Sequence, residues 1–144
     1  MNEKIEKELF IASIKKSVLI PILEVKIPAG FPSPADDFIE GKLDLNNIVI
    51  KNPTATFYMR VQGDSMKDAN IHDGDLIVVD RSIEPIHGKI VIAVIDGEFT
   101  VKTLYKKNGI LKLIPQNNEF REIIIKEENE LYIWGCVSFV VHKL

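Results

Sequence analysis

From Thr54 onward, apolar and polar side chains alternate along the chain. Ala55 to Val61 place an apolar residue at every second position, as a strand with one buried face requires. Short runs rich in β-branched and aromatic residues follow, and turn-forming residues separate most of them. The pattern predicts further strands over residues 75–80, 89–95, 99–105, 110–115, 120–125 and 131–141.

Two dipeptides between these runs predict tight hairpins. Asp96-Gly97 and Asn108-Gly109 each combine two residues that tolerate a positive φ, which the two-residue turns of antiparallel hairpins need. Strands joined in this way pair antiparallel, so the sequence predicts a mainly β fold. We expect a compact, curled antiparallel β domain over residues 40–144.

The first 39 residues lack this alternation. Residues 1–17 carry charges of both signs around a few apolar positions, which fits a weak amphipathic helix or a mobile tail equally well. Three prolines in residues 27–34 fix φ and bias the chain toward extended conformations. We therefore expect an extended or flexible N-terminal tail over residues 1–39.

A short helical turn is expected over residues 43–50. Asp44 or Asn46 can cap its first amides, since both side chains accept hydrogen bonds from backbone N–H groups. Pro53 follows a few residues later and cannot continue a helix.

Composition and charge limit the classes of protein to which the chain can belong. The chain has 144 residues, of which 46% are hydrophobic, enough for one ordinary core plus a tail. Its formal net charge is −3, so no overall basic field favours phosphate backbones, and we expect no direct sequence-specific DNA binding. Cys136 is the single cysteine, which excludes an internal disulfide and fits a reducing cytoplasm. Pro21 interrupts the apolar run 18–23, so we expect no membrane anchor.

Ser65 is a candidate nucleophile. It lies in Gly63-Asp64-Ser65-Met66, directly after a predicted strand, where Gly63 lets the backbone turn sharply. A serine in such a turn is more often structural than catalytic, and catalysis needs a base nearby. The three histidines, at positions 72, 87 and 142, lie in a polar loop, in a turn and near the C-terminus, which does not favour any of them as that base.

Lys102 is the alternative base. It lies in a predicted strand and shares a face with Thr100 and Leu104. A lysine on a partly apolar face usually extends its ammonium group into water. If it is buried beside Ser65 instead, desolvation lowers its pKa and leaves a neutral amine that can take the serine proton.

Three sets of residues, in this order, resemble one known family. They are Ala29-Gly30-Phe31-Pro32-Ser33-Pro34-Ala35, then Gly63-Asp64-Ser65-Met66 with Asp73-Gly74-Asp75, and Asp96-Gly97-Glu98-Phe99-Thr100-Val101-Lys102. With them the chain resembles the UmuD-type SOS mutagenesis proteins, relatives of the LexA repressor among the self-cleaving serine–lysine peptidases. The resemblance implies a β domain of the LexA and signal-peptidase type.

The resemblance also implies a role for each motif. Ser65 would be the nucleophile and Lys102 the general base, and the backbone amides of Asp64 and Ser65 would bind the oxyanion. The bond between Ala29 and Gly30 would be the one that is cut. No cofactor and no metal ion is implied.

The partners follow from the resemblance alone. It implies that a RecA filament on single-stranded DNA promotes the cut. The shortened chain, as a homodimer, would then be an accessory subunit of a UmuC-type Y-family polymerase in error-prone translesion synthesis, with the sliding clamp as a further candidate partner. Only 29 residues precede Gly30, too few for a three-helix DNA-binding module, which favours a UmuD-type protein over a repressor.

Two other functions stay open at this stage. The β domain could be a non-catalytic interaction module that binds a polymerase or clamp, with Ser65 and Lys102 as remnants. It could also be a headless regulator that competes with LexA-like repressors for RecA or dimerises with them. A chain that stays intact under cleavage-promoting conditions would favour the first, and the identity of its bound partners would test the second.

Overall fold

The computed structural model describes residues 10–11, 17–23, 26–32, 34 and 39–144. Among these residues, no helix has the length and apolar character needed to cross a membrane. The strands are β1 (Phe10–Ile11), β2 (Ile20–Leu23), β3 (Ile39–Leu43), β4 (Thr56–Arg60), β5 (Leu76–Asp80), β6 (Ile90–Ile95), β7 (Glu98–Lys107), β8 (Ile110–Ile114), β9 (Ile123–Ile124) and β10 (Leu131–Val141), and the helix α1 spans Leu45–Val49. Short 3₁₀ turns cover Pro53–Ala55 and Lys67–Ala69.

The described residues fall into two compact units. The larger contains Asn52–Leu144 and β1, and the smaller lies within Ser13–Lys51. In the smaller unit β2 and β3 pair antiparallel, and Asp44 caps α1 by accepting a hydrogen bond from the Asn46 N–H at 3.0 Å. The domain boundary expected between residues 39 and 40 stays a prediction.

The larger unit is built on one eight-stranded sheet in which every recorded pair is antiparallel. Its strand order is β1-β4-β5-β10-β6-β7-β8-β9. The last strand, β10, therefore lies between β5 and β6 and joins two sets of hairpins. Gly135 permits this close packing, because a Cβ there would lie 2.7 Å from Cγ1 of Val79.

Both faces of the sheet are buried at β6. Ile92 belongs to one apolar cluster, which also contains Met66 and Trp134. Its neighbours Val91 and Ala93 point to the other face and pack in a second cluster. Since successive side chains of a strand alternate between faces, the middle of β6 is buried on both sides of the sheet. The next strand, β7, pairs with β6 along Ile90–Ile95.

The prediction of a mainly β, antiparallel fold is confirmed, and both hairpins form where predicted. Asp96 and Gly97 have φ values of 48° and 85°, and Asn108 and Gly109 have 52° and 72°. Positive φ at both positions gives the turn a twist that matches the flanking strands.

Several predicted boundaries were wrong. The first strand of the alternating region begins at Thr56, because Pro53 starts a 3₁₀ turn. The strand predicted over 120–125 forms only at β9. The Phe120 N–H donates to the Asn117 carbonyl at 3.1 Å, so the chain makes a turn at Phe120. Strands β1, β2 and β3 were not predicted, and α1 begins only at Leu45. The helix or tail predicted over 1–17 falls largely outside the described residues.

Candidate active site

Ser65 lies in the loop that follows β4. The carbonyl of Val61 accepts a hydrogen bond from the Gly74 N–H at 2.8 Å, which ties the two ends of this loop together. Gly63 has a φ of 90°, a conformation that a side chain would strain. Its N–H donates to the Asp73 carboxylate at 2.7 Å. These bonds hold the backbone on either side of the candidate nucleophile.

Buried side chains anchor the same loop to the core. Met66 and Ile71 are each 1% exposed. Asp75 accepts hydrogen bonds from the His72 N–H at 2.8 Å and pairs with Nδ1 of His142 at 2.5 Å. Burial alone would raise the pKa of Asp75, but these two partners outweigh it and hold the pKa below its ordinary value. Two of the three histidines therefore support the loop.

Lys102 reaches the candidate nucleophile from β7. Its Nζ lies 3.1 Å from Oγ of Ser65, although 37 positions separate the two residues in sequence. The same Nζ lies 2.6 Å from Oγ1 of Thr100 and 3.1 Å from the carbonyl oxygen of Val101. Lys102 is only 9% exposed, so its amine is held inside the protein.

The surroundings of Lys102 favour its neutral form. Burial removes water from the ammonium group, and the pKa of Lys102 is therefore lowered from its ordinary value of 10.5. A neutral amine has two N–H donors and one lone pair. Thr100 and Val101 can accept from the two donors, which leaves the lone pair for the hydroxyl proton of Ser65.

The two amides expected to bind an oxyanion belong to Asp64 and Ser65. Within the described part of the chain, neither N–H donates to a protein acceptor. The carbonyl of Asp64 accepts a hydrogen bond from Nδ2 of Asn117 at 2.9 Å. Free N–H donors beside a nucleophile are what an oxyanion requires, and their role stays a prediction.

A cleft of about 310 Å³ opens beside this pair. Ser65, Thr100 and Lys102 lie on its wall, and side chains from β4 to β7 line the rest. Most of those side chains are apolar: Met59, Val61, Ile77, Ile92, Phe99 and Val101. Arg60 and Gln62 complete the wall, so the cleft offers both apolar contacts and polar groups to a peptide segment.

Ala29 and Gly30 lie in the smaller unit, on exposed backbone. The extended run predicted from the prolines is interrupted there, because Ala29, Gly30 and Phe31 form a bend. Gly30 has no side chain to oppose the bend, and an added Cβ would meet nothing within 4 Å. Ile27 and Phe31, on either side of the predicted cut, are 86% and 91% exposed.

Two polar residues of the site were missed in the sequence. Thr100 lies two positions before Lys102 on the same strand face, so the strand period offered a signal for it. Asn117 lies in Pro115-Gln116-Asn117-Asn118, a sequence that is typical of turns in general. No pattern in the chain marks it, because its partner is a backbone carbonyl more than 50 residues away.

Comparisons with known proteins identify the family of this chain. The Peptidase S24-like family model matches residues 21–138. Protein SamA of Salmonella typhimurium is 48% identical over 123 residues, which cover 85% of this chain and 85% of that protein. Protein ImpA of Escherichia coli is 46% identical over 128 residues, covering 88% and 86%.

A repressor is also among the relatives. The LexA repressor of Acetivibrio thermocellus is 41% identical over 143 residues, which cover 99% of this chain but 65% of the repressor. The match to the family model extends over most of the chain and includes the Ser65 loop and β7. The chain therefore belongs to the Peptidase S24-like family, as a UmuD-type member related to the LexA repressor.

Proposed function

We propose that this protein is a self-cleaving serine–lysine peptidase of the SOS response, in which Ser65 cuts the bond between Ala29 and Gly30. The observation that carries the proposal is the 3.1 Å separation of Lys102 Nζ and Ser65 Oγ, on a lysine that is 9% exposed. A purely structural lysine would keep its ammonium group in water. A buried amine beside a hydroxyl is instead suited to activate it.

The chemical steps follow the serine–lysine pattern. Lys102 takes the hydroxyl proton of Ser65 while Oγ bonds to the carbonyl carbon of Ala29, and an oxyanion forms on the carbonyl oxygen. The C–N bond then breaks, and the Lys102 ammonium returns the proton to the leaving amine of Gly30. Water hydrolyses the ester on Ser65 with Lys102 again as base, which releases the carboxylate of Ala29 and restores the hydroxyl.

The cleavage segment has features that suit this reaction. Ala29 and Gly30 carry little or no side chain, so the scissile bond can approach Oγ closely. The bond is exposed, and a segment in a bend must straighten before it can lie across a catalytic cleft. That rearrangement would limit the resting rate and leaves room for a promoting partner.

The wider role rests on the family. We propose that a RecA filament on single-stranded DNA promotes the cut, and that the product, as a homodimer, is an accessory subunit of a UmuC-type Y-family polymerase. Relatives named SamA and ImpA, 48% and 46% identical, support placement in SOS mutagenesis, and the LexA relative supports a link to the SOS response. Co-purification of the cut chain, but not a Ser65→Ala chain, with such a polymerase is the expected result.

Intact-mass spectrometry tests the cleavage itself. The purified chain is incubated at about pH 10, where the lowered pKa of Lys102 leaves a larger share of its amine neutral than at about pH 7, and the mass is followed with time. A new species that begins at Gly30 is expected in the wild type and in Ser82→Ala, which changes an exposed serine. The Ser65→Ala chain should stay intact.

The same experiment can reject the proposal. Equal cleavage in wild type and Ser65→Ala would show that another group attacks the bond. An unchanged mass in all three chains, repeated with RecA, ATP and single-stranded DNA at about neutral pH, would instead favour a non-catalytic interaction module.

A further inference from the structure

Asn117 is a buried polar residue whose side-chain amide is bonded at both ends. It is 4% exposed and lies in the loop after β8. Its Nδ2 donates to the carbonyl of Asp64 at 2.9 Å, and its Oδ1 accepts from the N–H of Glu119 at 3.0 Å. Because one end needs a donor and the other an acceptor, the amide has one orientation that satisfies both partners.

The carbonyl held by Asn117 belongs to the peptide that links Asp64 to Ser65. A peptide unit is planar and trans, so its C=O and its N–H point in opposite directions. By fixing the Asp64 carbonyl, Asn117 also fixes the direction of the Ser65 N–H. That N–H is one of the two proposed oxyanion donors.

We propose that Asn117 is a positioning residue that orients the Ser65 N–H toward the oxyanion formed during self-cleavage. The inference rests on the function proposed above. It concerns the stabilisation of the intermediate, whereas Thr100 and Val101 act on the base. The site would thus have separate supports for its base and for its oxyanion donor.

The direction of this peptide decides which of its groups faces the intermediate. Rotating the peptide changes ψ of Asp64 and φ of Ser65, the kind of change that distinguishes the central peptides of type I and type II turns. A rotated Asp64–Ser65 peptide would present its carbonyl oxygen, in place of the N–H, to the negatively charged intermediate.

A second contact of the same loop supplies a matched control. Gln116 accepts a hydrogen bond from the Asp68 N–H through its carbonyl at 2.8 Å, and its Nε2 donates to Oγ1 of Thr103 at 3.0 Å. Its side chain therefore anchors the loop to β7 without touching the Asp64–Ser65 peptide. Gln116→Leu breaks that anchor and keeps the backbone contact.

The test compares Asn117→Leu, Gln116→Leu and wild type by self-cleavage rate across the alkaline pH range. Leucine has nearly the shape of asparagine and adds no charge, so it should not move the pH midpoint set by Lys102. Complete loss of an oxyanion donor costs about 10²–10³ in rate. A donor that is present but no longer oriented should cost about 10- to 100-fold in the plateau rate. Gln116→Leu should stay within about threefold of wild type.

Three results would overturn the inference. They are a plateau rate near wild type in Asn117→Leu, an equal loss in both variants, and a shifted pH midpoint with an unchanged plateau. Far-UV circular dichroism verifies folding, and Asn117→Ala replaces the leucine variant if that chain does not fold. Failure of the wild type itself to cut would remove the proposed function and this inference with it, a result distinct from the three above.

Discussion

Replacing Lys102 with methionine should stabilise the folded protein at neutral pH, although it removes the proposed base. The lysine is 9% exposed, and burial lowers the pKa of its amine. Methionine has a similar length and no charge, so the variant avoids the cost of desolvating a cation. It leaves the Val101 carbonyl and Oγ1 of Thr100 without this donor, which costs about 1 kcal/mol each. We expect a net stabilisation of about 1–3 kcal/mol near pH 7.

The pH dependence of this difference follows from the direction of the pKa shift. Below the folded-state pKa of Lys102, the wild type carries the full cost of a buried cation. Between that pKa and 10.5 the cost falls as pH rises, and above 10.5 the amine is neutral in both folded and unfolded chains. The advantage of Lys102→Met should therefore shrink with a slope of at most about 1.4 kcal/mol per pH unit.

Urea unfolding at several values between about pH 7 and pH 10 measures the difference. Both chains should also carry Ser65→Ala, which keeps them intact during the measurement. Lys107→Met, at the exposed end of β7, is the matched control, because it removes a lysine of the same strand that is not buried. If the Lys102→Met difference is constant across this range, the argument that burial disfavours the ammonium form is wrong.

Three further substitutions test other parts of the larger and smaller units. Thr100→Val keeps the shape of the side chain but removes the acceptor 2.6 Å from Nζ of Lys102. Self-cleavage should therefore slow by about tenfold or more. An unchanged cleavage rate, measured by intact mass, would exclude a role for this hydroxyl. Gly135→Ala would place a Cβ 2.7 Å from Val79 and should cost about 1–3 kcal/mol in urea unfolding. Gly41→Ala, where a Cβ meets nothing within 4 Å, should change stability by less than about 0.5 kcal/mol, and equal effects at both glycines would contradict the packing argument.

Most strands of the larger unit were predictable because local signals agree there. Alternation and positive-φ turns locate β6, β7, β8 and β10 to within a few residues. β2 and β3 were not predicted because Pro21 and Gly41 are unusual in strands. The two strands also pair across a long connection. A short-range pattern cannot report pairing that depends on residues distant in sequence.

The site was predictable only in part, for a similar reason. The sequence marks Ser65 as a turn residue and Lys102 as a strand residue, but nothing in their spacing places them side by side. The family resemblance supplied that pairing, and the 3.1 Å separation agrees with it. Asn117 could not be predicted as a site residue, because its proposed role depends on the direction of one peptide in a turn that is distant in sequence.

The position of β10 has a consequence for the order of events during protein synthesis. The β4–β5 hairpin brackets the loop of Ser65, and the β6–β7 hairpin carries Lys102, but within the sheet the two are joined through Leu131–Val141. On the ribosome, both hairpins emerge before the strand that unites them. We therefore expect Ser65 and Lys102 to meet only after β10 has been translated, which would protect the nascent protein from the proposed self-cleavage.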